Sequence, residues 1–123
     1  MNDRDWNWVA GIFEGEGTVQ IQLAHGVKGR PSYHTLYASP KINIGNTDYT
    51  MLLELQRLLG VGKIYRAYGA TTKWNEFWQY SIWGHTAIIT MVQLLPYLRT
   101  QYKQNQVAGT LLDWALLRKI DAV

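Results

Sequence analysis

Residues 8–18 of this chain read WVAGIFEGEGT. They predict a helix that ends near Glu16 and passes directly into an alternating strand from Thr18 onwards. Gly11 and Gly15 lie four residues apart, so they share one helix face and leave it without side chains. A bare face lets a second backbone approach closely, although each glycine costs about 0.5–1 kcal/mol in a helix.

The position of Glu16 at the end of that helix is unusual for an acid. The last carbonyl groups of a helix are unpaired and form a partly negative pole, which repels a carboxylate unless a cation lies beside it. A divalent metal held by hard oxygen ligands is the simplest such cation. The alternative is an ordinary amphipathic helix followed by a glycine-rich turn.

The composition is that of a globular protein. We expect a single domain over residues 1–123, because this length buries a sizeable core and no linker or low-complexity tract interrupts it. No apolar run approaches the ~20 residues that cross a bilayer, and residues 1–5 do not resemble a signal peptide. The absence of cysteine excludes a disulfide framework and a thiolate zinc site. We therefore expect an intracellular protein without membrane contact.

The charge is distributed unevenly. Twelve basic and nine acidic residues give a net charge of +3, yet residues 17–47 and residues 55–75 contain no acid at all. A surface with that balance can displace counterions from phosphates, and the alternative is a solvated basic surface. The basic residues of these two stretches are Lys28, Arg30, Lys41, Arg57, Lys63, Arg66 and Lys73.

The hydrophobic pattern predicts an α+β fold with helices on one face of an antiparallel sheet. Asn46 or Thr47 is expected to cap the second helix, and Pro96 is expected to mark the start of the final helical segment. The predicted elements are a helix at 4–15, strands at 18–25 and 34–44, a helix at 47–59, strands at 62–68 and 76–83, a helix at 86–95 and a helix at 98–119.

The motif resembles the signature of the LAGLIDADG homing endonuclease family. Residues 9–17, VAGIFEGEG, match this nine-residue signature with the alanine, the acids and the essential glycines in register. Residues 60–64, GVGKI, are similar to the family's glycine turn into its third strand, and residues 95–98, LPYL, to its segment before the basic helix. The resemblance covers almost the whole chain and implies the family's αββαββα core, with a saddle-shaped antiparallel sheet and a C-terminal helix.

The resemblance also implies an activity, namely site-specific cleavage of double-stranded DNA by an enzyme encoded in a mobile intron or intein-like element. The second acid of the signature binds the catalytic metal in that family, which would place Mg²⁺ on Glu16 with the backbone carbonyl of Gly15 as a further ligand. The first acid, Glu14, would have a structural role. Asn46 matches the family's water-positioning residue at the end of the second strand. No other small-molecule cofactor is implied.

One departure from the family's pattern concerns cleavage. The family often has a lysine shortly after its Pro-aromatic-Leu segment, and Gln101 takes that place here. Lys103 lies about 200° further around a helix and could replace it only if the local backbone differs, while Arg99 is the other basic neighbour. The departure favours a second function class, a non-cleaving nucleic-acid binder such as an intron-splicing maturase or a DNA-binding regulator. A structural dimer that binds no nucleic acid is the third alternative, which the acid-poor strands disfavour.

The single copy of the signature implies a two-fold homodimer, because cutting both strands of a duplex takes two sets of catalytic groups. The preferred DNA site would then be long and palindromic or nearly so. The two first helices would pack through Trp8, Ala10, Gly11, Ile12 and Gly15.

The sheet face turned away from the helices is the expected DNA-binding surface. Alternation directs Val19 and Ile21 towards the helices and the intervening glutamines outwards. Glutamine and asparagine can pair with adenine, and lysine and arginine with guanine. The alternative is the ordinary wet side of a half-exposed sheet. The residues expected to contact DNA are Gln20, Gln22, Lys28, Arg30, Tyr37, Ser39, Lys41, Asn43, Lys63, Tyr65 and Lys73.

Overall fold

The computed structural model describes residues 1–25, 28–31, 36–68 and 76–121. A 3-10 helix, Leu95–Tyr97, precedes the last α-helix. The α-helices and strands confirm the predicted α+β order. They are α1 (Asp3–Glu16), β1 (Gly17–His25), β2 (Leu36–Asn46), α2 (Tyr49–Leu59), β3 (Lys63–Tyr68), β4 (Phe77–Trp83), α3 (Gly84–Leu94) and α4 (Gln101–Asp121).

The four strands form one antiparallel sheet in the order β1-β2-β4-β3. Thr18 lies opposite Asn43, Asn43 opposite Ser81, and Ser81 opposite Lys63. Side chains in such a row point to the same face of a sheet. The row therefore crosses the whole sheet on the face that the sequence predicted to be polar.

The core lies between the sheet and the helices. Of the strand residues predicted to point inwards, Val19 is buried and Ile21 is half-buried. Phe13 of α1 and Leu52 and Leu55 of α2 are also buried. Trp78 is half-buried and packs on Tyr49 of α2, with 4.5 Å between the ring centroids. The buried apolar side chains form one cluster of Val9, Ala10, Phe13, Val19, Ile42, Ile44, Leu52, Leu55, Tyr80, Ile82, Ala87, Met91, Leu94, Leu98 and Val107.

The turn between α2 and β3 brings two backbones into direct contact at Gly62. Its φ of +89° is in the left-handed region, and a Cβ atom there would lie 2.8 Å from the carbonyl oxygen of Ser81. The Tyr80 hydroxyl donates to the carbonyl oxygen of Val61, and burial raises the pKa of Tyr80 above its usual value. Gly62 thus fixes how closely β3 approaches β4.

The cap of α2 differs from the prediction. Asp48, rather than Asn46 or Thr47, caps the helix, because its Oδ1 accepts the backbone N–H of Met51 at 3.2 Å. Strand β2 continues through Asn46, so the Asn46 side chain belongs to the end of the strand. The sequence offers three suitable capping residues in a row, and the length of the strand decides between them.

The last α-helix begins later than predicted. Leu98, with φ −73° and ψ 138°, is extended, and α4 begins at Gln101. Residues 95–100 therefore form a connector between α3 and α4. This connector contacts α1 near the start and near the end of that helix. The Tyr97 hydroxyl donates to Asp3 Oδ1 at 2.7 Å, and the backbone N–H groups of Arg99 and Thr100 donate to Glu14. None of the helices in the described part of the chain is sufficiently long and apolar to cross a membrane.

Candidate active site

Glu16 is the last residue of α1 and its side chain is exposed. The Asn46 Nδ2 group donates to Glu16 Oε2, and Asn46 Oδ1 accepts the backbone N–H of Asp48 at 2.7 Å. The amide of Asn46 is thus held on both sides. The structure therefore places the predicted metal-binding acid beside the predicted water-positioning residue, at the point where β2 ends.

Lys103 reaches the same end of α1 from the first turn of α4. Its Nζ donates to the carbonyl oxygen of Gly17 and lies 5.3 Å from the ring centroid of Phe13. Since Gly17 directly follows Glu16, this ammonium group is a cation at the partly negative pole of α1. The structure thus places a positive charge of the chain itself at the pole where Glu16 lies.

Gln101 has different contacts. Its Nε2 donates to Asn105 Oδ1 at 2.7 Å, one turn further along α4. Among the hydrogen bonds of the described residues, Gln101 makes none with α1. Lys103, and not Gln101, is therefore the residue of α4 that contacts the end of α1.

Glu14 is bound to the N-terminus of α4. Its Oε1 accepts the backbone N–H groups of Arg99 and Thr100, the latter at 3.1 Å, and its Oε2 accepts the Thr100 hydroxyl. Thr100 Oγ1 in turn accepts the backbone N–H of Lys103 at 3.3 Å. A carboxylate is favourable at a helix N-terminus. These contacts give Glu14 a structural role at the junction of α1 and α4.

The pKa of Glu14 reflects this environment. Burial alone would raise the pKa of the carboxyl group, but the hydrogen bonds from the side chain of Thr100 and from the backbones of Arg99 and Thr100 outweigh it. The positive charge of Lys103 acts in the same direction, and the resulting pKa lies below the usual 4.5. Glu14 is therefore an ionised structural anchor at neutral pH.

The donor atoms at the end of α1 suit a hard cation. The Glu16 carboxylate and the Gly15 carbonyl, which is one of the last carbonyls of the helix, are oxygen ligands of the kind that Mg²⁺ prefers. Within the described residues there is no group of three or more His, Cys, Asp or Glu side chains that could hold a metal. One copy of the chain therefore offers a partial site, and a bound Mg²⁺ would need further oxygen ligands from another molecule.

The outer face of α1 carries the glycine stripe. A Cβ atom added to Gly11 or Gly15 would meet nothing within 4 Å. Trp8 is 40% exposed on the same stripe, and Ile12 is half-buried. Ala10, which we expected at the dimer interface with them, is instead only 2% exposed and belongs to the chain's own core. The helical period turns Ala10 towards Val9 and Phe13 and away from the stripe.

The open face of the sheet carries most of the predicted DNA-binding residues. Lys28 and Arg30 are exposed in the segment 28–31, and Lys73 lies outside the described residues. On the strands, the exposed members of the set are Gln20, Gln22, Tyr37, Lys63 and Tyr65, and the half-buried ones are Ser39, Lys41 and Asn43.

Two further residues of this face, Gln79 and Ser81 of β4, were missed by sequence reasoning. Ser81 Oγ donates to Asn43 Oδ1 at 2.7 Å, and the Tyr65 hydroxyl donates to Gln79 Oε1 at 2.6 Å. Residues 78–82, WQYSI, alternate between large and polar side chains. The pattern that turns the large residues inwards therefore turns Gln79 and Ser81 outwards. Arg66 Nη1 lies 3.5 Å from Glu76 Oε1, at a register shift in the β3–β4 pair.

Comparison with known proteins identifies the fold. No protein-family model and no curated protein sequence matches the chain. Among solved structures, the homing endonuclease I-CvuI in complex with its target in the presence of calcium has a TM-score of 0.68 at 21% identity, with 89% of this chain and 64% of that chain covered. The group I intron-encoded homing endonuclease I-CeuI complexed with DNA has a TM-score of 0.70 at 17% identity, with 98% and 57% covered.

A third similar structure, the homing endonuclease I-TnaI, has a TM-score of 0.71 at 15% identity, with 93% of this chain and 74% of that chain covered. The chain spans less than two thirds of the length of I-CvuI and I-CeuI. At these identities the likeness concerns the fold, and it agrees with the motif of residues 9–17. This chain has the fold of the LAGLIDADG homing endonucleases.

Proposed function

We propose that this protein is a site-specific, metal-dependent endonuclease that cuts double-stranded DNA as a homodimer. The observation that carries the proposal is the convergence of three side chains on one helix end. Glu16 is exposed there, Asn46 holds one of its oxygens, and Lys103 binds the next carbonyl. The same fold in I-CvuI and I-CeuI, both solved with DNA, supports the proposal.

The glycine stripe supports the homodimer. Two copies of α1 could approach closely along Gly11 and Gly15, because no side chain of the described chain covers them. Trp8 and Ile12 would lie at the border of this contact and lose their exposed apolar surface. Each Glu16 follows directly on Gly15, so the two carboxylates would come together near the symmetry axis.

The chemistry follows from the residues at this axis. Glu16 and the carbonyl of Gly15 would hold Mg²⁺, which when bound polarises a phosphate and activates water. Asn46 keeps the Glu16 carboxylate in one orientation through its hydrogen bond to Oε2. Lys103 directs its positive charge to the same end of α1, where it would stabilise negative charge that develops on a phosphate.

The open sheet face would bind the duplex. A curved antiparallel sheet presents two-stranded ribbons that fit the major groove of B-DNA. Gln20 and Gln22 of β1 lie beside Lys41 and Ser39 of β2 in register, so amides and an ammonium group alternate along the ribbon. Amides would contact base edges, and the basic residues would contact guanine or phosphates. Two-fold symmetry then makes the preferred site palindromic or nearly so.

A second candidate function is binding without cleavage, as in a maturase or a DNA-binding regulator. The observation that favours it is Gln101, which stands where the family often has lysine and whose amide is engaged by Asn105. The contact between Lys103 and Gly17 favours cleavage instead, since it brings a cation to the end of α1.

A selection experiment separates these candidates. The purified chain is incubated with a randomised duplex library in the presence of Mg²⁺ or Ca²⁺, and the retained and cut fractions are sequenced. Cleavage with Mg²⁺ at an enriched, nearly palindromic site is the expected result. Enrichment without cleavage in either ion would establish the non-cleaving binder. No enrichment in either ion would refute both candidates and leave the structural dimer.

A further inference from the structure

A small hydrogen-bonded group occupies the middle of the open sheet face. It consists of Asn43, Tyr65, Gln79 and Ser81, which we name the hydroxyl clamp. Ser81 Oγ donates to Asn43 Oδ1 at 2.7 Å, and the Tyr65 hydroxyl donates to Gln79 Oε1 at 2.6 Å. The two hydroxyl oxygens lie 3.4 Å apart. The clamp therefore joins side chains of three neighbouring strands.

The hydrogens of the clamp determine how its amides are presented. Each hydroxyl has one hydrogen, and each gives it to an amide oxygen. In each amide the NH₂ group is bonded to the same carbon as the oxygen, and the hydroxyl bond to that oxygen leaves the NH₂ group for another partner. Asn43 and Gln79 are half-buried residues of the open face, so these two donors are the part of the clamp that we expect a molecule on the sheet to meet.

Burial shows that Ser81 acts only through its neighbours. Its side chain is 0% exposed, whereas Asn43 and Gln79 are half-buried and Tyr65 is exposed. Ser81 cannot contact a molecule on the sheet face. The backbone hydrogen bonds already join the strands of Ser81, Asn43 and Lys63. The side-chain bond of Ser81 therefore orients the Asn43 side chain and is not needed to pair the strands.

We propose that Ser81 is a positioning residue that sets the base preference of the protein, by holding Asn43 with its amide N–H groups towards the DNA. The proposal rests on the proposed function, since it assigns the base that this part of the sheet would contact. The favoured base is guanine, because its major-groove edge carries two acceptors, O6 and N7. Cytosine presents the N4 donor there, for which an amide NH₂ group is no partner.

This assignment changes the expectation for Asn43. A bidentate pair with adenine requires an amide that offers its oxygen and its NH₂ group side by side to the base. In the clamp, the Ser81 hydroxyl uses one of the two lone pairs of the Asn43 oxygen and holds that oxygen towards β4, which disfavours the side-by-side geometry. Tyr65 holds Gln79 in the same way, so the two amides form one donor-bearing patch.

The test compares base preferences. Duplexes retained with Ca²⁺ from a randomised library are sequenced for the parent chain and for two variants, Ser81→Ala and Asn43→Asp. The parent should prefer guanine over cytosine at one position of each half-site. Ser81→Ala should reduce that preference about tenfold, the effect of losing one well-placed base contact, and should increase the share of adenine. Asn43→Asp, which offers only acceptors, should shift the same position towards cytosine.

Thr90→Val is the matched control, because it removes a buried hydroxyl that donates to the Thr86 carbonyl oxygen within α3 at 2.8 Å. It should leave every preference unchanged. An unaltered guanine preference in Ser81→Ala, or an equal shift in Thr90→Val, would overturn the proposal. If Ser81→Ala unfolds, as judged by circular dichroism, Ser81→Cys takes its place, since a thiol is a weaker donor to the Asn43 oxygen and should lower the guanine preference in the same direction. A parent that selects no duplex at all refutes the proposed function itself, which distinguishes that failure from an unmoved base preference.

Discussion

The two glutamates of the signature motif stand two residues apart on the same helix and differ in almost every other respect. Glu14 accepts three hydrogen bonds from residues 99–100 and has a lowered pKa. Glu16 is exposed and accepts a hydrogen bond from Asn46. Two residues correspond to about 200° around a helix, so one acid faces α4 and the other faces the end of the sheet.

The comparison shows that two acids of the same type receive different environments because of their positions on the helix. A carboxylate that is saturated with hydrogen bonds has little capacity left to bind a metal. A carboxylate held through one oxygen keeps the other available. Glu14 therefore anchors the helix that carries Lys103, and Glu16 is the acid available for a ligand.

Replacement of Glu16 by glutamine directly tests the role of the exposed acid. We expect Glu16→Gln to lower the rate of DNA cleavage on the order of 10³-fold, because the ligand charge for Mg²⁺ is lost. Affinity for the duplex in Ca²⁺ should remain largely intact, since the sheet face makes the other contacts. Cleavage of an enriched site under single-turnover conditions measures the effect. Cleavage by Glu16→Gln at the parental rate would contradict the catalytic assignment.

The exchange of roles between Gln101 and Lys103 can be tested on α4. We expect Lys103→Met to reduce cleavage about 100-fold, because a preorganised positive charge is removed from the end of α1. Gln101→Ala should change the rate less than about twofold, since the amide contacts only Asn105 among the described residues. The same cleavage assay applies to both variants. A larger loss in Gln101→Ala than in Lys103→Met would reverse the assignment.

The proposed dimer contact along the glycine stripe can be tested by adding single methyl groups to it. Gly11→Ala should raise the dissociation constant of the dimer about tenfold or more, because a methyl group in a close helix contact causes overpacking. The stability of the monomer should not fall, since the Cβ atom meets nothing within 4 Å and alanine favours helix. Sedimentation measures the first effect and thermal unfolding of dilute protein the second.

Gly109→Ala in α4 is the control for this change, since its Cβ atom would also meet nothing within 4 Å. It should stabilise the helix to a similar degree and leave the dissociation constant unchanged. An equal effect of both substitutions on association would show that α1 does not form the interface.

The structural acid should show its role in the pH dependence of stability. We expect Glu14→Gln to lower the free energy of unfolding by about 1 kcal/mol at neutral pH, through weaker hydrogen bonds to residues 99–100. The folded-state pKa of Glu14 is lower than the unfolded value of 4.5, so its stabilisation is complete above pH 4.5 and is lost as the pH falls through the folded-state pKa. Denaturant unfolding at several pH values measures this difference.

The exposed Glu54, paired with Arg57 on α2, is the comparison residue for Glu14. Glu54→Gln should have a smaller effect, because solvent screens an exposed ion pair. A difference between Glu14→Gln and the parent that persists unchanged below the folded-state pKa would speak against an ionised anchor.

Much of the fold followed from local sequence patterns. Alternation placed Val19 correctly in the core, because a strand that lies against helices has only one inward face, and Ile21 on the same face is half-buried. The start of α4 was not predictable from the period of the helix. It depends on Glu14, which accepts hydrogen bonds from the N–H groups of Arg99 and Thr100. These residues are separated from Glu14 by 85 and 86 positions in the sequence.

The candidate site was predictable where it lies within the motif and was not predictable where it depends on contacts between distant segments. The motif gave Glu16 and Gly15, whereas the contact of Lys103 with Gly17 needed the true beginning of α4. Ala10 was assigned to the interface by its place in the motif, although the helical period sets it with Val9 and Phe13 in the core. Ser81 was not among the predicted contacts, because its hydrogen bond to Asn43 joins two strands at residues 38 positions apart in sequence.

The connector of residues 95–100 has a consequence for protein engineering. It contacts α1 near its start, where the Tyr97 hydroxyl binds Asp3 and its ring stacks on Trp6 with 5.9 Å between the centroids, and near its end, where Glu14 binds Arg99 and Thr100. A chimaera that imports the first helix from a homologue should therefore import the matching connector as well. Grafts that transfer the helix alone would leave both attachment points unmatched and misplace the lysine that follows them.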